Sequence, residues 1–273
     1  MSTRSIALAN QKGGVGKTTT AVSLAACLAE RGKRTLLLDL DPQANATSAL
    51  GLEKLSGGSV YKALLGGAAL ADSIRPAGYE NLDIIPSEVD LAVAEVDVAR
   101  TENYLQRLRL ALTPVHDAKK YDFILVDCPP SLGILTMNAL AAVDSVLVPM
   151  QCEYFALEGL AVIMRVIQQI KDSGVNPALA LEGIVFTMFD SRTNLSQQVV
   201  NEVRGHFGEK VFKTVIPRTV RLGEAPSFGK PITAYDPGSY AAACYRALTE
   251  EILANAAAVP AAPPAASPVA SVG

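Results

Sequence analysis

Nine consecutive residues, Gln11-Lys12-Gly13-Gly14-Val15-Gly16-Lys17-Thr18-Thr19, have the composition of a phosphate cradle. They follow an apolar run, Ser5-Ile6-Ala7-Leu8-Ala9-Asn10, that reads as a buried strand. An alanine- and leucine-rich segment that reads as a helix comes after them. A strand, a glycine-rich turn and a helix start aim backbone N–H groups and the positive end of a helix dipole at one anion. Gly13, Gly14 and Gly16 let the backbone approach phosphate oxygens. Lys17 has the reach for β- and γ-phosphates, and the Thr18 hydroxyl can ligate Mg²⁺. The usual pattern, G-x-x-x-x-G-K-[ST], asks for glycine where this chain has Gln11 and does not ask for Lys12. Lys12 is therefore a second lysine inside the cradle, and the competing view of it is a solvated surface lysine.

Three aspartates end apolar runs and could face that cradle. Asp39 closes Arg34-Thr35-Leu36-Leu37-Leu38, Asp41 follows in Asp39-Leu40-Asp41-Pro42-Gln43, and Asp127 closes Phe123-Ile124-Leu125-Val126. In an open parallel sheet, ligands bind beyond the C-terminal strand ends. A carboxylate there can hold a metal-bound water or orient a water attacking a γ-phosphate. Asp127 suits the first task, a water on Mg²⁺. The bland alternatives are an Asp-Pro turn for Asp41 and a helix cap for Asp127. The turn Cys128-Pro129-Pro130-Ser131-Leu132-Gly133 joins proline stiffness to a glycine, which suits a segment that changes state with the γ-phosphate. Cys128 has no histidine or basic neighbour in sequence and reads as packing.

The positioning elements read as strands alternating with helices. Thr19 to Glu30 is an amphipathic helix ended by Arg31-Gly32-Lys33. Gly57-Gly58 and Gly66-Gly67 bracket a short helix, Val60 to Leu65. Leu82 to Pro86 reads as a strand and Leu91 to Leu112 as one or two helices. Strands follow at Asp144–Pro149, Leu181–Met188 and Val211–Ile216, with helices at Phe155–Lys171, Asn194–Phe207 and Tyr240–Leu253. About seven or eight strands with no internal repeat predict a doubly wound α/β domain, a mostly parallel twisted sheet with helices on both faces. One domain is expected over residues 1–255, with a disordered Ala/Pro-rich tail over 256–273.

Composition narrows the function. The net charge of −3 argues against nucleic-acid binding through overall charge, so a local basic patch would be needed. The four cysteines form no CxxC and read as reduced thiols of a cytoplasmic protein. The two histidines, His116 and His206, lie far apart, which disfavours a histidine metal site or a Ser-His-Asp triad. The N-terminus runs straight into the first strand, so no signal peptide is expected. No uncharged apolar run reaches about 18 residues, so no membrane span is expected.

With these motifs in place, the chain resembles the ParA/Soj family of DNA-partitioning ATPases, within the deviant-phosphate-loop group that contains MinD. The resemblance rests on Lys12 to Thr19, Asp39 to Asn45, Asp127 to Gly133, Asp190 to Leu195 and Ile216 to Ser227. It implies ATP/ADP and Mg²⁺ as cofactors and an ATP-dependent homodimer closed face to face over nucleotide. It further implies non-specific double-stranded DNA binding, nucleoid association when ATP-bound, and a ParB-type partner that stimulates hydrolysis. Carried onto this chain, Lys12 would reach the partner subunit's phosphates and Lys17 those of its own. Thr18 would ligate Mg²⁺ directly, Asp127 through water, and Asp41 would position the attacking water. Met188, Pro217 and Arg218 would lie near the adenine, and Arg192 and Arg221 in DNA-contacting loops. The competing view of these arginines is surface salt-bridge partners. Other readings are a MinD-like membrane-cycling ATPase, a metabolic phosphate-loop transferase, an iron–sulfur redox ATPase, and a ParA-like ATPase that positions a different cargo.

Overall fold

The computed structural model describes residues 3–54 and 60–258. Its strands are β1 (Arg4–Leu8), β2 (Thr35–Asp39), β3 (Arg75–Tyr79), β4 (Leu82–Ile85), β5 (Phe123–Asp127), β6 (Ser145–Gln151), β7 (Ala180–Phe189) and β8 (Val211–Pro217). The α-helices are α1 (Lys17–Glu30), α2 (Asn45–Ala49), α3 (Val60–Leu64), α4 (Leu91–Ala99), α5 (Arg107–Asp117) and α6 (Ile134–Ala142). They continue with α7 (Ala156–Asp172), α8 (Asn194–Phe207), α9 (Val220–Glu224), α10 (Ile232–Tyr235) and α11 (Tyr240–Ala258). The strands form one sheet in the order β3-β4-β2-β5-β1-β6-β7-β8. Only the β3–β4 pair is antiparallel, so the expected doubly wound, mostly parallel sheet is what the chain forms.

Alternation along the central strands builds two cores. Ile6 and Leu8 of β1, Leu37 of β2 and Leu125 of β5 face a layer made by α1, α2, α10 and α11. Ala7, Leu36, Leu38, Ile124 and Val126 face the layer made by α3 to α8. Strands buried on both faces read as continuous apolar runs, which is why these were legible in the sequence. At the β8 edge, the Glu251 carboxylate of α11 accepts the Lys213 and Thr214 N–H groups at 2.8 and 2.9 Å. That contact occupies edge donors that would otherwise template another strand.

The topology departs from a simple reading at one point. β1 and β2 are parallel, as a βαβ unit requires, but β5 lies between them. Its register pairs Leu8 with Asp127 on one side and Asp39 with Asp127 on the other. The cradle and the two strand-end aspartates therefore come together through strands about 90 and 120 residues apart in sequence.

Some elements were not anticipated. β3 carries Pro76 and a left-handed Gly78 (φ +80°), both strand-poor signals. α6 is apolar on nearly every side and buried, so it has no amphipathic stripe to detect. The Leu91–Leu112 span divides into α4 and α5, separated where Asn103 turns left-handed (φ +53°). The segment after Pro217, expected as loop, contains the short helix α9. α11 runs to Ala258, past the expected boundary at 255. Gly57-Gly58, Met1, Ser2 and the tail from residue 259 lie outside the described residues.

Candidate functional site

The loop between β1 and α1 is pinned from two strands, β6 and β7. Asn10, buried, donates its amide to the Pro149 carbonyl beside β1 at 2.8 Å and accepts the Lys12 N–H at 3.0 Å. The Thr187 hydroxyl on β7 donates to the Val15 carbonyl at 2.8 Å, and Gln151 donates to the Gly14 carbonyl at 2.9 Å. Gly14 and Gly16 have φ of +72° and +80°, a left-handed backbone that L side chains rarely adopt. Gly16 precedes α1 without a side-chain cap, and the first turn of α1 holds no acidic residue. Its leading N–H groups are thus open to an anion.

The two lysines have different places. Lys17 is buried and its ammonium donates to the Lys12 carbonyl at 3.1 Å, so it folds over its own loop. Burial lowers its pKa, and the charges of Asp127 and Asp41 act against that shift. The Lys12 side chain is 49% exposed and pairs with Glu153, which follows β6. Its ammonium therefore points out of the cradle rather than into it.

The aspartates divide in the same way. Asp39 is consumed structurally: Oδ2 accepts the Thr47 N–H and hydroxyl at 2.8 and 2.7 Å, and Oδ1 accepts the Asp41 N–H at 3.2 Å. Burial, opposed by those bonds, raises its pKa to about 6. Asp41 accepts the Gln43 N–H through Oδ1 at 2.9 Å. Its own carbonyl accepts the Ser87 hydroxyl at 2.6 Å, which ties its loop to the end of β4. Asp127 is wholly buried, and neither carboxylate oxygen has a hydrogen-bond partner. The Thr18 hydroxyl is near enough to favour the charged form without hydrogen-bonding geometry. Burial, and then the Asp39 charge, push the Asp127 pKa well above the usual carboxylate range. Cys128 is buried and its thiol is pushed far up, in keeping with packing.

This donor set suits a hard cation. Two orphaned carboxylate oxygens beside a threonine hydroxyl are oxygen ligands of the kind Mg²⁺ takes together with waters and phosphate oxygens. Among the described residues no cluster of three or more His, Cys, Asp or Glu could hold a metal by itself.

Met188, Pro217 and Arg218 do come together. Phe189 pairs with Pro217 across β7 and β8, and the Arg218 N–H donates to the Phe189 carbonyl at 3.1 Å. Met188 is left-handed (φ +50°), a costly conformation for a long side chain that sites tend to hold. The predicted DNA arginines are both engaged. Arg192 is 85% exposed and forms a two-point pair with Asp190, whose pKa falls to about 2 because of it. Arg221 lies between Glu224 and Asp236, at 3.2 and 3.4 Å.

Glu153, Gln151, Thr187 and Ser87 were missed because each acts from a distant strand end with no local motif. Also missed was a cleft of about 280 Å³ between α1, α2 and the segment after β8. It is lined by Thr18, Thr19, Val22, Asn45, Leu222, Pro226 and Lys230, among others.

Residues 3–181 match the AAA domain family. The chain is 53% identical over 251 residues to the sporulation initiation inhibitor protein Soj of Bacillus subtilis, covering 92% of this chain and 98% of that one. It is 52% identical over 251 residues to the chromosome partitioning protein ParA of Myxococcus xanthus, covering 92% and 88%. Among solved structures, cobyrinic acid a,c-diamide synthase from Mycobacterium smegmatis with bound ATP analog and magnesium is 36% identical, with a TM-score of 0.80 over 93% and 96% of the two chains. Likeness of this extent, with both phosphate-loop lysines inside the matched region, makes the chain a member of the ParA/Soj family of chromosome-partitioning ATPases.

Proposed function

We propose that the protein is an ATP-driven partition switch that closes as a dimer over nucleotide and binds DNA only in that state. The observation that carries this reading is the outward Lys12. One lysine suffices for phosphates in its own cradle, and Lys17 already fills that place. A second ammonium that leaves the loop for Glu153 is free to exchange that exposed ion pair, worth about 0–1 kcal/mol, for the phosphates of a second subunit. It then adds positive charge where negative charge develops in the transition state.

The remaining roles are those that the family resemblance implies. Gly13, Gly14, Val15, Gly16, Thr18 and Thr19 cradle the phosphates of ATP or ADP, and Met188, Pro217 and Arg218 border the base. Thr18 and, through a water, Asp127 hold Mg²⁺, which when bound screens the charge on the β- and γ-oxygens. Asp41 orients the attacking water, Arg192 and Arg221 contact DNA phosphates, and a ParB-type protein speeds hydrolysis. Two subunits double a sparse cationic patch, so DNA binding depends on ATP through effective concentration. The protein accordingly works in the cytoplasm and moves to the nucleoid when it holds ATP. Among the described residues no helix is long and apolar enough to cross a membrane.

DNA retention by wild type with ATP, with ADP and without nucleotide, and by Asp41→Ala, tests the reading. Retention is expected with ATP only, and longer for Asp41→Ala, which binds ATP but hydrolyses it slowly. Equal retention in all three states overturns it. The pairing of both arginines with carboxylates favours one alternative, a ParA-like ATPase with a cargo other than DNA, and no retention with ATP would select it.

A further inference from the structure

Four buried polar residues at the ends of β2 and β4 close a ring of hydrogen bonds. The Asp41 N–H donates to Asp39 Oδ1 at 3.2 Å, and Asp39 Oδ2 accepts the Thr47 hydroxyl at 2.7 Å. Thr47 Oγ1 accepts the Ser87 N–H at 2.9 Å, and the Ser87 hydroxyl returns to the Asp41 carbonyl at 2.6 Å. Each direction is fixed, because an N–H only donates and a carbonyl or carboxylate only accepts.

The ring joins three segments. Asp39 and Asp41 leave β2, Thr47 lies in α2, and Ser87 follows β4, whose Ile85 pairs with Leu38 of β2. Both oxygens of the Asp39 carboxylate are spent in it. Of Asp41 it takes only the main chain, on the N–H side and on the C=O side, and leaves the carboxylate out. The surroundings are apolar: Leu38, Leu40, Ala46 and Ile85 are all buried. Polar groups in such a place cost free energy unless each is bonded, and a fully bonded network holds one arrangement. Ala44, three residues after Asp41, has φ +54°, a conformation that alanine rarely adopts and that persists only where its surroundings impose it.

We propose that Ser87 and Thr47 are positioning residues for ATP hydrolysis, holding the Asp41 backbone through this ring so that its carboxylate is aimed at the attacking water. This rests on the ATPase reading. Asp41 acts on the water, and Ser87 and Thr47 act only through Asp41. The Asp41 charge is felt by Lys17 and by Asp127, so its carboxylate shares the electrostatic surroundings of the phosphate loop. A misplacement on the order of 1 Å at such a point costs on the order of 100-fold in rate. Ser87 is the mildest member to remove. Without its hydroxyl the Asp41 carbonyl keeps the Ala44 N–H at 2.8 Å, so no buried acceptor is orphaned. What goes is the tie from β4 that orients the Asp41 segment.

The test compares full-length wild type with Ser87→Ala, Thr47→Val, Thr47→Ser, Asp41→Ala and Ser87→Ala/Asp41→Ala. Steady-state kcat should fall about tenfold or more in Ser87→Ala and Thr47→Val, while affinity for a fluorescent ATP analogue stays within about twofold of wild type. Thr47→Ser, which keeps the hydroxyl, should recover the wild-type kcat. The double variant should turn over at the Asp41→Ala rate, because both changes remove the same effect. Ser87→Ala should keep the wild-type Tm, whereas Thr47→Val strands the Ser87 N–H and should lower it. Hydrogen–deuterium exchange of nucleotide-free Ser87→Ala should speed up over residues 39–47 and not over 11–20, a readout independent of turnover. An unchanged kcat or unchanged exchange in Ser87→Ala overturns the proposal. So does a parallel loss of kcat and ATP affinity, a Thr47→Ser protein as slow as Thr47→Val, or a double variant slower than Asp41→Ala. Wild type that hydrolyses no ATP fails the ATPase reading and takes the proposal with it. Turnover that Asp41→Ala abolishes and Ser87→Ala leaves intact fails the proposal alone.

Discussion

Asp127→Asn should stabilise the nucleotide-free protein while abolishing its chemistry. Asp127 is wholly buried, both its oxygens lack partners, and Asp39 sits opposite it in register. A buried polar group without a partner costs about 1–3 kcal/mol, and more when charged. Lys17 offsets part of that cost, since Asp127 is the largest charge acting against the lysine's burial shift. Asparagine keeps the shape and removes the charge but still leaves polar atoms unpaired. The net gain is therefore expected at ~1–2 kcal/mol at pH 7.5, a rise in Tm of a few degrees for a chain of this size. The pH dependence has a definite sign. Both Asp39 and Asp127 have folded-state pKa values above their unfolded ones, Asp39 reaching about 6. The native state thus holds protons that the unfolded state releases, and stability falls as pH rises through the folded values. Wild type should gain stability on going from pH 7.5 towards pH 5, whereas Asp127→Asn should show a flatter slope. Differential scanning fluorimetry across that range, with and without ATP and Mg²⁺, measures both. ATP with Mg²⁺ should raise the Tm of wild type more than that of the variant. A variant destabilised by more than about 1 kcal/mol, or one with the wild-type pH slope, refutes the claim that an unpaired charge sits there.

Three further outcomes are expected. Lys12→Ala should leave the Tm nearly unchanged, because the ion pair with Glu153 is exposed and worth about 0–1 kcal/mol, yet remove ATP-dependent dimers in sedimentation velocity. Arg221→Ala should weaken DNA retention by the ATP-bound dimer and lower its salt slope by about 1–2, one phosphate contact per subunit; an unchanged slope means that Arg221 touches no phosphate. Glu182→Ala should cost roughly 3–5 kcal/mol in chemical denaturation. Its side chain is 1% exposed and accepts from both Arg4 and Ser145, so its loss strands a largely buried guanidinium between β1 and β7.

How much of this was legible follows from how each part is encoded. The loop after β1 was readable because glycine is the residue that permits its backbone geometry; Gly14 and Gly16 are left-handed. Asp39 and Asp127 were readable as strand ends because doubly buried strands make unbroken apolar runs, and the first charge after such a run marks the end. What no local pattern carries is which strand ends meet. Asp39 and Asp41 look alike in sequence, yet the Thr47 N–H and hydroxyl occupy Asp39 while Asp41 accepts the Gln43 N–H. The partner of Lys12 lies 141 residues away, on a strand end with no motif of its own. The pairing of Arg192 with Asp190 was in plain sight two residues upstream, whereas Asp236 reaches Arg221 only through the fold of the chain after β8.

The same distinction explains α4. Its buried stripe and its exposed stripe are both valine and alanine, so periodicity reports helix without reporting which side is inside. Only the packed structure shows that one apolar face is spent on the sheet and the other faces water. Val93 and Val96 are therefore apolar residues held in water that contribute nothing to the core, a distinction that no run of valine and alanine in the sequence can report.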